Sequence, residues 1–195
     1  MRHMKKILTR QNLIIAAVLL AVYAVVQIFI KSGHISPFYE TNLILGGISI
    51  IMAVSLNLIT GFAGQFTLGH AGFMAIGAYV SAVMTVKLGM PYIAALLAGG
   101  ITAAFMGFLI GLPTLRLKGD YLAIATLGMG EVIRVVLLNT KYVGGAAGFF
   151  GIPRLTNWTW IYFWAVVTVL FIRNMLWSSY GRACISVRED EIAAE

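Results

Sequence analysis

The stretch Gly61-Phe-Ala-Gly-Gln-Phe-Thr-Leu-Gly-His-Ala-Gly72 sets hydrogen-bonding side chains and glycines between two oily runs. Gln65, Thr67 and His70 carry groups for which hydrocarbon offers no partner, so they must face protein or water. Two readings stay open for them. They form a wall of a substrate path, or they satisfy each other at a tight helix junction. His70 is either a packing residue or a proton carrier. Glu131 and Arg134 are the second candidate. They stand three residues apart, so on a helix they share a face and pair. They line a path, or they neutralise each other with Arg134 reaching for the headgroups. Gln65, Thr67, His70, Glu131 and Arg134 are therefore the substrate-path candidates. His3, His34 and His70 are scattered, and no phosphate-binding glycine loop, zinc motif or Cys/His/acid cluster at metal spacing occurs. The sequence offers no catalytic residue and no metal ligand set.

Composition says which elements must hold these groups. The chain has 195 residues, 60% apolar and 11% charged; an ordinary soluble chain is about half apolar and about one quarter charged. Mean hydropathy is +0.91. A soluble globule of this size cannot hide so much apolar surface, so the expected solvent is a lipid bilayer. One cysteine, Cys184, excludes an intrachain disulfide.

Apolar segments at Leu13–Ile30, Leu43–Thr60, Phe66–Val86, Tyr92–Leu112, Tyr121–Leu138 and Trp158–Ile172 are long enough, or nearly so, to cross ~30 Å of hydrocarbon as helices. The expected fold is all-α: a polytopic integral membrane helical bundle of about six spans, broken or re-entrant near 61–72. The net charge of +7 is read as topology rather than nucleic-acid binding. With the N-terminus inside, Arg2, Lys5, Lys6, Arg10, Arg116, Lys118, Arg173, Arg182 and Arg188 fall on the inner side. Lys31, Lys87, Lys141 and Arg154 fall outside, and Arg134 lies within a span. The excess predicts a cytoplasmic N-terminus. Trp158 and Trp160 at the outer edge of the sixth span, and Trp177 and Tyr180 past its inner end, fit aromatic belts.

In the fourth span Ala95, Gly99, Ala103, Gly107 and Gly111 recur every four residues. Such a ridge lets helix backbones touch, which predicts close packing against protein. The outer loop Val143–Pro153 is rich in glycine and carries Phe149 and Phe150. The tail from Ser178 is polar and begins a helix-like stretch suited to a soluble partner.

Three ordered blocks carry a family resemblance: Leu56-Asn-Leu-Ile-Thr-Gly-Phe-Ala-Gly-Gln-Phe-Thr-Leu-Gly-His-Ala-Gly-Phe-Met-Ala-Ile-Gly-Ala-Tyr79, Leu112-Pro-Thr-Leu-Arg-Leu-Lys-Gly-Asp-Tyr-Leu-Ala-Ile-Ala-Thr-Leu-Gly128 and Gly181-Arg-Ala-Cys-Ile-Ser-Val-Arg-Glu-Asp-Glu-Ile-Ala-Ala-Glu195. From Leu43 to Glu195 the chain resembles the branched-chain amino acid ABC importer permeases, of the LivM type. The resemblance implies a multi-pass subunit of the bacterial inner membrane. Its implied partners are a LivH-type second permease, two cytoplasmic ATPases, a periplasmic substrate-binding protein and membrane lipid, without nucleic acid. ATP is then used by the partner subunits, and no cofactor is bound by this chain. Residues 1–12 become a cytoplasmic N-terminal segment, 13–177 a partial transmembrane permease domain, and 178–195 the start of a cytoplasmic coupling loop. Arg182, Arg188, Glu189, Asp190 and Glu191 are the implied contacts with the ATPase. Family members run on through further spans, so a C-terminally shortened chain is expected. The competing classes are an ion-coupled secondary carrier, which needs more intramembrane ionisable groups, and a membrane-embedded enzyme, which needs acids or histidines converging at one depth.

Overall fold

The computed structural model describes residues 10–33 and 35–189. Helices α1 (Arg10–Lys31), α2 (Pro37–Asn57), α3 (His70–Val86), α4 (Tyr92–Thr114), α5 (Asp120–Asn139), α6 (Trp158–Leu176) and α7 (Ser179–Glu189) follow in order. A π-helical turn, Leu58–Phe62, continues α2, and 3-10 turns at Lys141–Val143 and Gly145–Ala147 shape the loop before α6. No strand occurs among the described residues.

Among the described residues five helices are long and apolar enough to cross a bilayer: Ile14–Lys31, Pro37–Phe62, Tyr92–Thr114, Asp120–Asn139 and Trp158–Leu176. They coincide with five of the expected spans. In the third, Phe66–Val86, helix begins only at His70: α3 has 17 residues, and the break expected near 61–72 precedes it. Phe66–Gly69 is non-helical. The glycines around it and the turn at Gly64 (φ +70°) take the backbone out of helical geometry.

The chain divides into two compact units. One comprises α1, α2 up to Val54, and Thr156–Arg173. There the Tyr162 hydroxyl donates to the Leu19 carbonyl (2.7 Å) and the Tyr23 hydroxyl pairs with Thr159 Oγ1 (3.1 Å). The Tyr23 and Tyr162 rings lie 5.4 Å apart. Gly47 is buried under Ile161; a Cβ at Gly47 would come 2.7 Å from the Ile161 side chain.

The other unit comprises Ser55–Leu155 and the chain from Asn174 onward. Its centre is α3, which packs on both α4 and α5. A Cβ on Gly99 would lie 2.5 Å from the Gly77 carbonyl oxygen and 3.1 Å from Ser81 Cβ. Gly77 in turn faces Ala103, and Gly107 faces Phe73. The numbering runs in opposite directions along the contact, so α3 and α4 are antiparallel. Gly99 and Ala103 thus lie in the α3 contact and Gly107 at its edge, whereas a methyl group at Gly111 would meet nothing within 4 Å. On the other side Gly69 meets Thr126 and Gly72 meets Gly130 and Ile133, so α3 and α5 run parallel.

The most buried side chain here is small, Ala95 at 1% exposed, and it is joined by Leu122, Ala123 and Ile133. Many large apolar side chains point outward, with Ile101, Phe105 and Phe108 on α4 all more than half exposed. That inversion suits a lipid solvent, where helices gain from close backbone packing rather than from hiding oil. Hydroxyls inside the helices bond back to the preceding turn, as Thr102 does to the Ala98 carbonyl (2.8 Å) and Thr85 to that of Ser81 (2.8 Å). At the far end of α3 the Lys87 ammonium donates to the Tyr142 carbonyl and lies 3.4 Å from the Tyr142 ring centroid, with Phe149 at 5.8 Å.

The α3–α4 contact gives a paired expectation. Gly99→Ala forces the two backbones apart and costs about 1–3 kcal/mol. Gly100→Ala enters open space and stays neutral or gains up to about 1 kcal/mol of helix propensity. Thermal unfolding in detergent checks this; equal melting temperatures for the two variants would contradict the packing.

Candidate functional site

The linker between α2 and α3 is built by partial loss of helical bonding. The Ala63 N–H donates to the Leu58 carbonyl (3.2 Å) and the Gln65 N–H to that of Ile59 (3.1 Å), which closes the π turn. Thr60 Oγ1 donates to the Leu56 carbonyl (2.8 Å). After Gly64 the chain runs non-helically to Gly69, and backbone groups there have no helical ladder to join. They find partners in α5. The Leu68 N–H donates to Thr126 Oγ1 (3.1 Å), whose own hydroxyl donates to the Ala123 carbonyl (3.0 Å). Thr126 is buried, and a Cβ at Gly69 would come 2.6 Å from its carbonyl oxygen. Thr126 lies six positions into α5, so the non-helical backbone sits about 9 Å along that helix. Irregular backbone at such depth is stable only where protein or a wet cavity covers it.

The sequence-predicted residues divide. Thr67 Oγ1 accepts the Gly69 N–H (3.4 Å), just before the start of α3. His70 Nε2 pairs with Ser55 Oγ of α2 (2.9 Å) and is half-buried. Gln65 is half-buried in the same linker. Glu131 and Arg134 stand apart from this group. Their ion pair (Glu131 Oε1 to Arg134 Nη1, 2.7 Å) is formed with both side chains more than half exposed. Gly130 and Ile133 take the α3-facing side of α5.

Two residues that sequence reasoning missed are Ser55 and Thr126. Each is a hydroxyl in an oily helix, where the ordinary expectation is a bond to its own helix. The signal for Thr126 was its place ahead of Gly128 and Gly130, in a segment able to approach another backbone.

The tail forms α7. Arg182 does not reach outward alone: its guanidinium donates to Ser179 Oγ (3.1 Å) and to the Trp177 carbonyl (3.5 Å), bracing the turn between α6 and α7. Arg188 Nη1 donates to the Gly61 carbonyl (3.3 Å). Glu189 is the last residue of α7, and Asp190 and Glu191 lie outside the described residues. Among the described residues no group of His, Cys, Asp and Glu is placed to hold a metal ion.

Thr126→Val keeps the shape of the side chain but leaves the Leu68 N–H without its acceptor, at a cost of about 1–3 kcal/mol. Thr126→Ser keeps the bond. Amide hydrogen exchange across 63–69 is expected to speed up in the valine variant only.

Residues 38–195 match the family described as "Branched-chain amino acid transport system / permease component". The chain is 38% identical to the high-affinity branched-chain amino acid transport system permease protein LivM of Escherichia coli (strain K12), over 75% of this chain and 43% of that protein. The LivM of Salmonella typhimurium gives the same figures, 38%, 75% and 43%. A probable branched-chain amino acid transport permease protein LivM of Methanocaldococcus jannaschii is 26% identical, over 74% of this chain and 55% of that protein. The chain thus spans about half the length of the curated relatives it matches. No solved structure matches. A helical membrane protein matched from residue 38 to 195, this chain belongs to the branched-chain amino acid transport permease family.

Proposed function

We propose that the chain is a LivM-type permease subunit of an ABC importer for branched-chain or related amino acids. It sits in the bacterial inner membrane with its N-terminus in the cytoplasm. It works with a LivH-type permease, two cytoplasmic ATPases that hydrolyse ATP, and a periplasmic protein that delivers the amino acid. The observation that carries this reading is the family match across residues 38–195.

The geometry supports a role for each part. The linker with Gln65, Thr67 and His70 forms a wall of the path, because there a helix gives way to irregular backbone held between α2 and α5. Glu131 and Arg134 add an exposed pair of opposite charges on an apolar helix, which hydrocarbon alone disfavours. Helix α7 lies at the linker end of the α3 unit, where a cytoplasmic partner would meet it. Alternation between inward and outward states requires that the ATPase bind the two states unequally. Contacts at α7 would supply that difference.

Reconstitution tests the reading. The full-length permease, co-expressed with its second permease and ATPases, is expected to co-purify with them and to take up leucine, isoleucine or valine into proteoliposomes only when ATP and the binding protein are supplied. Uptake driven by an ion gradient without ATP would overturn it. In the same system Glu131→Gln with Arg134→Gln leaves no orphan charge. It is expected to lower uptake about tenfold or more while the complex stays assembled. A self-neutralising structural pair would leave uptake unchanged.

A further inference from the structure

The Arg188 side chain and the α2–α3 linker are separated by 127 residues in sequence, measured to Gly61, and meet in space. The meeting is specific at both ends of the side chain. The guanidinium takes the Gly61 carbonyl (3.3 Å). The last carbonyls of a helix lack an intrahelical partner and carry partial negative charge, so a cation there is favoured. The aliphatic stem lies over Gly64. A Cβ placed on Gly64 would come 2.6 Å from Arg188 Cγ and 3.1 Å from its Cβ. Gly64 also needs its positive φ for the turn. The linker therefore presents a socket of bare backbone, and Arg188 fills it.

The other end of α7 is fixed. Gly181 is buried, and a Cβ there would meet the Leu176 Cα at 2.5 Å. Its N–H donates to Ser178 Oγ (3.2 Å), and Arg182 braces the same elbow. From Gly181 to Arg188 the helix is a lever about 10 Å long. Beyond the socket the linker is fastened to α5 through Leu68 and Thr126 and to α2 through His70 and Ser55. A tilt of α7 at its elbow therefore moves the chain that carries Gln65 and Thr67.

We propose that Arg188 is a positioning residue, a strut between α7 and the linker, rather than a contact on the surface that meets the ATPase. Seated on Gly61 and Gly64 it holds the linker in its present arrangement; withdrawn, it frees the linker to change the path. The coupling energy is the difference in this contact between the two states. The proposal rests on the ABC importer reading.

The test uses the assembled full-length transporter in proteoliposomes, with uptake of leucine and ATP hydrolysis measured together. Arg188→Ala is expected to assemble with the ATPases and to hydrolyse ATP within about twofold of wild type, while the ATP spent per leucine moved rises about tenfold or more. Arg188→Lys keeps the stem over Gly64 and is expected to fall between. Gly64→Ala leaves Arg188 intact but fills the socket, and is expected to raise the same ratio. The proposal is overturned by a wild-type ratio in Arg188→Ala, by loss of ATPase association in that variant, or by failure of both variants to accumulate in the membrane. Absence of ATP-driven uptake in wild type would instead remove the importer reading itself.

Discussion

Hydrocarbon leaves no backbone amide or carbonyl to be satisfied by solvent, and the break between α2 and α3 is where this constraint bears hardest. A continuous helix would meet it without help. Here the helix widens into a π turn, stops, and runs irregularly through Gly69. Each group released must then be met by a side chain or by another helix. Thr126 meets the Leu68 N–H, Thr67 meets that of Gly69, and Arg188 meets the Gly61 carbonyl. The partners come from α5, the linker itself and α7, so one irregular segment gathers distant parts of its unit.

Close backbone contact makes that gathering feasible. Gly77 against Gly99, and Gly72 against Gly130, bring α3 near enough to both neighbours for a short hydroxyl to span the gap. Bulkier residues at Gly69 or Gly72 would hold α5 too far away for Thr126 to reach the linker. The oily surface outside contributes little to this specificity, since lipid tails receive Phe105 or Ile124 as readily as another helix would.

Sequence alone made the spans legible, because runs of apolar residues at bilayer length have few alternative explanations. The small-residue ridge was legible for the same reason, and Gly99 and Ala103 do lie against α3. The break before α3 was legible in the glycines and polar groups of 61–72, though not its extent: Phe66 and Leu68 extend the apolar run, yet both are about half exposed on irregular backbone. Ser55 and Thr126 were hidden because a hydroxyl in an oily helix usually serves its own turn. The contact of Arg188 with Gly61 was hidden because a charge on a polar tail suggests a soluble partner; nothing local marks an acceptor at Gly61. Periodicity reports which face is apolar, and it does not report which distant carbonyl lacks a donor.

The clasp of Lys87 by the Tyr142 ring and carbonyl has a mechanical corollary. Helix α3 is a rod of about 25 Å, pinned by His70 and Ser55 at its beginning and by this cation among aromatic rings just past its finish. A rod held at both extremities cannot slide without tugging on each. A displacement of α3 would therefore strain both the His70–Ser55 contact and the seat of Lys87 at Tyr142. Opposite rims of the helix layer are in this way yoked to a common member.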